Sequence, residues 1–214
     1  MLVYERMSRH PMTVTPNTPV EQALKRMHDE KVRRFPVVDD DGKLVGIVSD
    51  KDLLYAAPSP ATSLSIFELH YLYSRITVSQ VMTREVITVE ESDPIEEAAR
   101  IMVDNKIGGL PVMREGKLVG IVTETDIFKT LMEMMGARDQ GVRLTLLCPE
   151  HRGQLAALTG AVAELGGNIT SLGTFWGKDA SNALITMKVA GVDKDKLVEK
   201  IKPFVLELID VREV

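Results

Sequence analysis

The sequence has little cysteine, few aromatic residues and no long apolar run. A single cysteine, Cys148, occurs among 214 residues, so an internal disulfide is excluded and its apolar neighbours predict a buried structural thiol. No apolar stretch approaches the roughly 18 to 20 residues of a membrane span, and the N-terminus lacks the apolar core of a signal peptide. We therefore expect a cytoplasmic protein with no membrane partner.

Clustered positive charge and metal-ligand spacing are also lacking. The net charge is -5, and the absence of a basic cluster argues against a nucleic-acid partner. The four histidines are isolated, and the acidic triplet 39–41 has no further ligand spacing, so we predict no metal site. There is no P-loop, G-x-S-x-G, H-E-x-x-H or G-x-G-x-x-G motif, so we assign no catalytic residue and expect no enzyme.

What the sequence does contain is a duplication. Residues 42–48 recur letter for letter at 116–122, and each copy continues into a related segment, 49–53 or 123–127. Each copy is too small to bury a stable core alone. The two copies should therefore pack against each other as one folded body.

Local patterns within each copy predict a helix, a hairpin and a second helix. The segments Thr18-Pro19-Val20-Glu21 and Asp93-Pro94-Ile95-Glu96 each combine a capping side chain, a proline and a glutamate, which predicts two helix starts. Apolar residues then recur at helical spacing. Two apolar runs separated by Asp41-Gly42 or Glu115-Gly116 predict a β-hairpin.

A Ser/Thr-x-x-Asp motif follows each hairpin, at residues 49–52 and 123–126. One interpretation is a capping box, in which the two side chains satisfy free N–H groups of the next helix. The other is a binding site, in which the helix start receives phosphate and the carboxylate accepts two hydrogen bonds from a ribose diol. Gly46 and Gly120 would then allow close approach by a planar base. The duplication does not decide between these interpretations.

The full pattern, Gly-Ile-Val-Ser/Thr-x-x-Asp after a helix, a Pro-Val pair and a hairpin, resembles the tandem CBS domain, or Bateman module, over residues about 3 to 132. The resemblance implies two β-α-β-β-α repeats, at 3–57 and 79–132, which pair around a pseudo-twofold axis with a loop and helix at 58–78 between them. It also implies that AMP, ADP, ATP or S-adenosylmethionine binds in the clefts between the repeats as a regulatory ligand.

The resemblance also implies which residues bind the nucleotide. They are two ribose-binding carboxylates, two neighbouring hydroxyls, two residues near the base, and two arginines: Asp52, Asp126, Ser49, Thr123, Phe35, Leu110, Arg33 and Arg34. The second copy has Gly108 and Gly109 at the arginine positions, so the two sites should differ. Guanidinium geometry favours a phosphate-bearing ligand beside the arginines, although a solvated pair at a helix end explains them equally well.

After a linker at 133–140 the pattern changes, which predicts a separate domain over residues 141–214. Its order of elements is βαββαβ, the ferredoxin-like arrangement, and the overall class is α/β (α+β). Gly153 at the first strand-helix junction and the run Gly166-Gly167-Asn168-Ile169 resemble an ACT domain. That resemblance implies an amino acid or other small ligand near His151, Gly153 and Asn168, while turn and helix-end roles for the last two remain open.

Two CBS repeats followed by one ACT domain are similar to the acetoin-utilisation AcuB-type family. This similarity implies a non-catalytic regulatory protein that senses an adenine nucleotide or adenosyl compound, with a role in acetoin or carbon metabolism. It also implies a homodimer that forms through CBS or ACT faces and acts on a protein target that the sequence does not name. The alternative is a structural or assembly module whose clefts stay empty.

Overall fold

The structure is a computed structural model that describes residues 1–56 and 75–214, and the chain divides into two compact units, Met1–Ile127 and Phe128–Val214. The loop and most of the helix predicted at 58–78 lie outside the described residues. The elements that begin in the first unit are α1 (Val3–Arg6), β1 (Ser8–Arg9), α2 (Val20–Asp29), β2 (Arg34–Val38), β3 (Leu44–Ser49), α3 (Asp50–Tyr55), α4 (Val78–Val81), β4 (Val89–Glu90), α5 (Ile95–Asn105), β5 (Gly109–Arg114), β6 (Lys117–Thr123) and α6 (Glu124–Met134).

Both predicted hairpins are confirmed. Strands β2 and β3 pair antiparallel with Phe35 opposite Val48, and β5 and β6 pair antiparallel with Leu110 opposite Val122. Each hairpin turn contains a glycine with a positive φ, +77° at Gly42 and +76° at the equivalent residue of the second copy, a conformation that other residues rarely adopt. The local turn chemistry therefore places both hairpins where the sequence predicts them.

The two copies exchange their first segments. Strand β1 pairs antiparallel with β6, so Val3 and Met7 pack in the core of the second copy. In the same way Val78 and Met82 pack in the core of the first copy, and Thr83 forms a bridge with Ile47 of β3. Neither core is complete without the other copy, which is why the two form one unit.

The predicted capping of α2 and α5 is wrong in detail. Both helices begin one residue later, at Val20 and Ile95, and neither has a side-chain cap. Thr18 Oγ1 instead accepts a hydrogen bond from the backbone N of Thr15, and Asp93 Oδ2 accepts one from the backbone N of Glu90. Thr18 and Asp93 lie before the first turn of their helices, so their side chains stabilise the preceding turn and do not cap the helix.

The second unit has the predicted βαββαβ order. Its elements are β7 (Val142–Pro149), α7 (Gln154–Glu164), β8 (Asn168–Trp176), β9 (Asn182–Ala190), α8 (Lys194–Ile201) and β10 (Glu207–Glu213). The strands form one antiparallel sheet in the order β10-β7-β9-β8. Alternate residues of β7 face a core that includes Leu158 of α7 and Leu197 of α8, so both helices cover one face of the sheet.

Candidate functional site

Ser49 ends β3 and caps α3, and its partner in the cap is Asp52. Asp52 Oδ2 accepts hydrogen bonds from the backbone N of Ser49 at 2.8 Å and from Ser49 Oγ at 2.7 Å. In return, the backbone N of Asp52 donates to Ser49 Oγ at 3.4 Å. The capping-box interpretation is thus confirmed for the first copy. Both bonds to the carboxylate end on one oxygen, and a carboxylate has lone pairs on both, so capping does not use up its acceptor capacity.

The second copy repeats the arrangement of the carboxylate. Asp126 Oδ2 accepts hydrogen bonds from the backbone N of Thr123 at 2.9 Å and from Thr123 Oγ1 at 2.7 Å. Both carboxylates are half-buried and are held in one orientation in the first turn of the helix that follows the hairpin. The structure therefore brings each predicted hydroxyl into direct contact with its predicted carboxylate.

The two glycines before the motifs serve packing. A Cβ on Gly46 would lie 2.5 Å from Met82 Sδ, and a Cβ on Gly120 would overlap the sulfur of Met7. The methionines of the exchanged segments therefore occupy the side on which we expected room for a planar base. That prediction is wrong on this side of the strand, because a contact between the copies already fills the space.

Phe35 and Leu110 are core residues. Both side chains have 0% exposure, and the guanidinium of Arg26 lies 5.3 Å from the centre of the Phe35 ring. Their strands lie beside the two motifs, but in this conformation their side chains are not available to contact a base. Only the backbone of these two residues could take the role that the sequence suggested.

The two arginines have different environments. Arg33 is exposed, whereas Arg34 is half-buried and its Nη1 donates a hydrogen bond to the carbonyl oxygen of Gly108 in the second copy. Burial lowers the pKa of Arg34, and the charges of Glu124 and Asp50 oppose that effect. Sequence reasoning passed over these two acids, although they occupy equivalent positions directly after Ser49 and Thr123.

The three candidates in the second unit do not form one site within the chain. Gly153 precedes α7 with a φ of +89°, and the exposed ring of His151 contacts the carbonyl of Arg152 through Nδ1 at 3.0 Å. Asn168 begins β8, beyond the other end of α7. An eleven-residue helix is about 16 Å long, so Asn168 cannot share a small ligand with the other two residues of the same chain.

Residues 1–56 and 75–214 contain no group of three His, Cys, Asp or Glu residues placed as metal ligands. Within the same residues, no helix is long and apolar enough to cross a membrane. Cys148 is fully buried in the core of the second unit. The paired Ser/Thr-x-x-Asp motifs with their neighbouring charges therefore remain the best-defined candidate site.

Two helix-hairpin-helix copies that exchange segments and repeat an oriented carboxylate define a paired-repeat α/β module. The family model for the CBS domain matches residues 3–59 and 78–133, which is more than half of the chain. The chain belongs to the CBS-domain family. Its tandem pair is thus shown by sequence and is consistent with the fold of the first unit.

Solved structures support the same assignment. An acetoin utilization protein (AcuB) from Vibrio cholerae is 31% identical, with a TM-score of 0.54 over 64% of this chain and 95% of its own. The CBS domain pair of protein MJ0100, in complex with 5′-methylthioadenosine and S-adenosylmethionine, is 31% identical, with a TM-score of 0.52 over 65% of this chain and 98% of its own. CBSX2 in complex with AMP is 34% identical, with a TM-score of 0.51 over 61% of this chain and 96% of its own.

Curated relatives include both small proteins and longer enzymes. A CBS domain-containing protein of Dictyostelium discoideum is 35% identical over 63% of this chain and 94% of its own length. The match to inosine-5′-monophosphate dehydrogenase of Aquifex aeolicus, at 36% identity over 63% of this chain, covers only 25% of that enzyme. The similarity is therefore found over almost the whole length of one CBS domain-containing protein and over a quarter of a longer enzyme.

Proposed function

We propose that this chain is a non-catalytic regulatory protein that binds an adenine nucleotide or an adenosyl compound at the 49–52 and 123–126 motifs. The observation that carries the proposal is the repeated carboxylate, which both copies hold in the same orientation through a hydroxyl at 2.7 Å. Support comes from the solved relatives, whose complexes contain AMP or 5′-methylthioadenosine and S-adenosylmethionine. All of these ligands share an adenosine unit.

The chemistry of the motif suits a ribose. A carboxylate can accept hydrogen bonds from both hydroxyls of a ribose diol, and a fixed carboxylate loses little conformational entropy when it does so. Ser49 and Thr123 fix Asp52 and Asp126 in this way. The cap and the binding site are then two roles of one arrangement, since the cap pre-organises the acceptor.

The proposal extends to the second unit and to assembly. Its βαββαβ order supports an ACT-type regulatory domain, with a small metabolite or amino acid as its ligand. Because His151 and Gly153 lie far from Asn168 within one chain, such a ligand would need residues from two chains, which agrees with a homodimer. A role in acetoin or carbon metabolism is supported only by the similarity to the AcuB protein.

The capping geometry favours a second candidate function. The hydrogen bonds of Ser49 and Asp52 fully account for a capping box, which needs no ligand. An assembly module with empty clefts would retain these bonds. Ligand binding is therefore the property that separates the two functions.

The deciding experiment is calorimetric titration of ligand-free protein with AMP, ADP, ATP and S-adenosylmethionine. Asp52→Ala and Asp126→Ala should each weaken binding at their own copy by at least about tenfold, because hydrogen bonds to a charged group contribute roughly 1.5 to 3 kcal/mol. Asp93→Ala is the matched control, since Asp93 also accepts a backbone hydrogen bond but lies outside the motifs.

Circular dichroism and thermal unfolding would establish that each variant is folded, because loss of the cap alone costs about 1 kcal/mol. Wild-type affinity at every site in both motif variants would place the ligand elsewhere. If the wild-type protein binds none of the four compounds, the assembly module becomes the better account.

A further inference from the structure

Arg34 is the side chain that touches both copies of the candidate site. Its backbone lies in β2 opposite Ser49, the hydroxyl of the first motif. Its guanidinium crosses to the second copy and donates to the carbonyl of Gly108. That carbonyl also accepts a hydrogen bond at 3.2 Å from the backbone N of Glu124. Glu124 directly follows Thr123 of the second motif. One guanidinium thus extends from beside one motif to beside the other.

Two glycines make room for this guanidinium. A Cβ on Gly108 would lie 2.6 Å from Arg34 Nη2 and 2.9 Å from Glu124 Oε2, and a Cβ on Gly109 would overlap Arg34 Nη1. Gly109 occupies the position of Arg34 in the second copy, opposite Thr123. A second arginine could not occupy that position while Arg34 lies across it, so the pair of copies has space for one such side chain.

The neighbouring charges are duplicated although the arginine is not. Asp50 and Glu124 are the first residues of α3 and α6, and the charges of both act on Arg34. The backbone bonds around them are equivalent as well, since Asp50 N donates to the carbonyl of Arg33 at 2.9 Å. Two equivalent acidic positions therefore share one guanidinium.

We propose that Arg34 is a phosphate-binding residue shared by the two clefts, so that a phosphate-bearing adenosine ligand bound at one copy weakens the binding of a second at the other. The inference rests on the proposed function and adds a regulatory coupling to it. A guanidinium binds phosphate through two parallel N–H groups, and one fork cannot engage two phosphates on opposite sides of the junction. The coupling should be absent for a ligand without phosphate.

The test compares AMP with 5′-methylthioadenosine by calorimetry on the full chain. Wild-type protein should bind a first AMP at least about tenfold more tightly than a second, whereas the two clefts should bind 5′-methylthioadenosine independently. Arg34→Ala should lower the affinity for the first AMP by about 10- to 100-fold, as expected for lost hydrogen bonds to a charged group. The affinity for 5′-methylthioadenosine should not change.

Two further variants control for charge and folding. Lys25→Ala removes the same charge from an exposed position on α2 and should leave the affinity for both ligands within about twofold of wild type, as expected for screened surface charges. Arg34→Lys keeps the charge without the fork and should bind AMP with intermediate affinity. It also serves as the test variant if Arg34→Ala does not fold.

The outcomes separate this inference from the proposed function. The proposal that the two clefts share Arg34 would be overturned by unchanged AMP affinity in both Arg34 variants, or by two equal and independent AMP sites in wild type. Either result would leave the proposed nucleotide sensor intact. Failure of wild type to bind either compound would overturn both. Equal weakening of AMP and 5′-methylthioadenosine would show that Arg34 acts through the fold and not on phosphate.

Discussion

Cys148 shows how burial controls the chemistry of a single side chain. The residue has no exposed surface, and burial raises the pKa of its thiol, with a hydrogen bond from Gln154 acting in the opposite direction. The thiolate is the reactive form, so a raised pKa moves the onset of reactivity to higher pH. At neutral pH the burial of the thiol and its raised pKa both disfavour reaction of this cysteine.

We predict that a thiol reagent labels the native protein more slowly than the unfolded protein by more than about a hundredfold, because core strands open rarely. Absorbance of the released chromophore at pH 8, with and without denaturant, measures both rates. The chain has one cysteine, so the signal has a single source. Equal rates would show that the thiol is accessible in the native state.

Single residues also show where sequence reasoning fell short. The hydroxyl-carboxylate pairs of both motifs could be read from their spacing alone, since a cap involves residues three apart. Spacing could not predict that Phe35 is buried or that Arg34 contacts Gly108, because both depend on residues that are distant in sequence. Spacing predicts contacts within one turn of helix and says little beyond it.

At the scale of the element, replacing glycine with alanine should change the free energy of unfolding in opposite directions at two positions with different surroundings. Gly160 lies exposed within α7, with nothing within 4 Å of an added Cβ. Gly160→Ala should raise the free energy of unfolding by about 0.5 to 1 kcal/mol, because glycine has the larger backbone entropy in the unfolded chain.

Gly46→Ala should instead lower the free energy of unfolding by about 1 to 3 kcal/mol. Its Cβ would lie 2.5 Å from Met82 Sδ and 3.1 Å from the carbonyl of Thr83. Urea titrations followed by circular dichroism measure both changes. Gly46→Ala should cost less stability in a Met82→Ala background than in wild type, because the clash with sulfur is gone, and an equal cost in the two backgrounds would contradict this explanation.

On the scale of the whole molecule, the exchanged segments should make the two copies unfold together. Val3 is fully buried in the core of the second copy, more than 80 residues away along the chain. Val3→Ala should therefore destabilise the first unit by about 1 to 3 kcal/mol through the cavity that it leaves.

Amide hydrogen exchange locates that effect. Exchange should rise in α5, β5 and β6 of the second copy, and not only near the N-terminus. Tyr4→Ala is the control, because Tyr4 is 40% exposed and its backbone hydrogen bonds do not depend on its side chain. Faster exchange confined to the first residues would mean that the exchanged segment is not part of a shared core.

The sequence by itself determined the duplication, both hairpins, the βαββαβ order of the second unit and the two capped carboxylates. Each depends on residues a few positions apart, through turn chemistry, capping and the alternation of apolar side chains. Tertiary structure alone decided that Met7 and Met82 fill the space beside Gly120 and Gly46, and that Arg34 lies over Gly108 and Gly109. Those outcomes depend on which distant surfaces meet when the copies pack, and no local pattern specifies that.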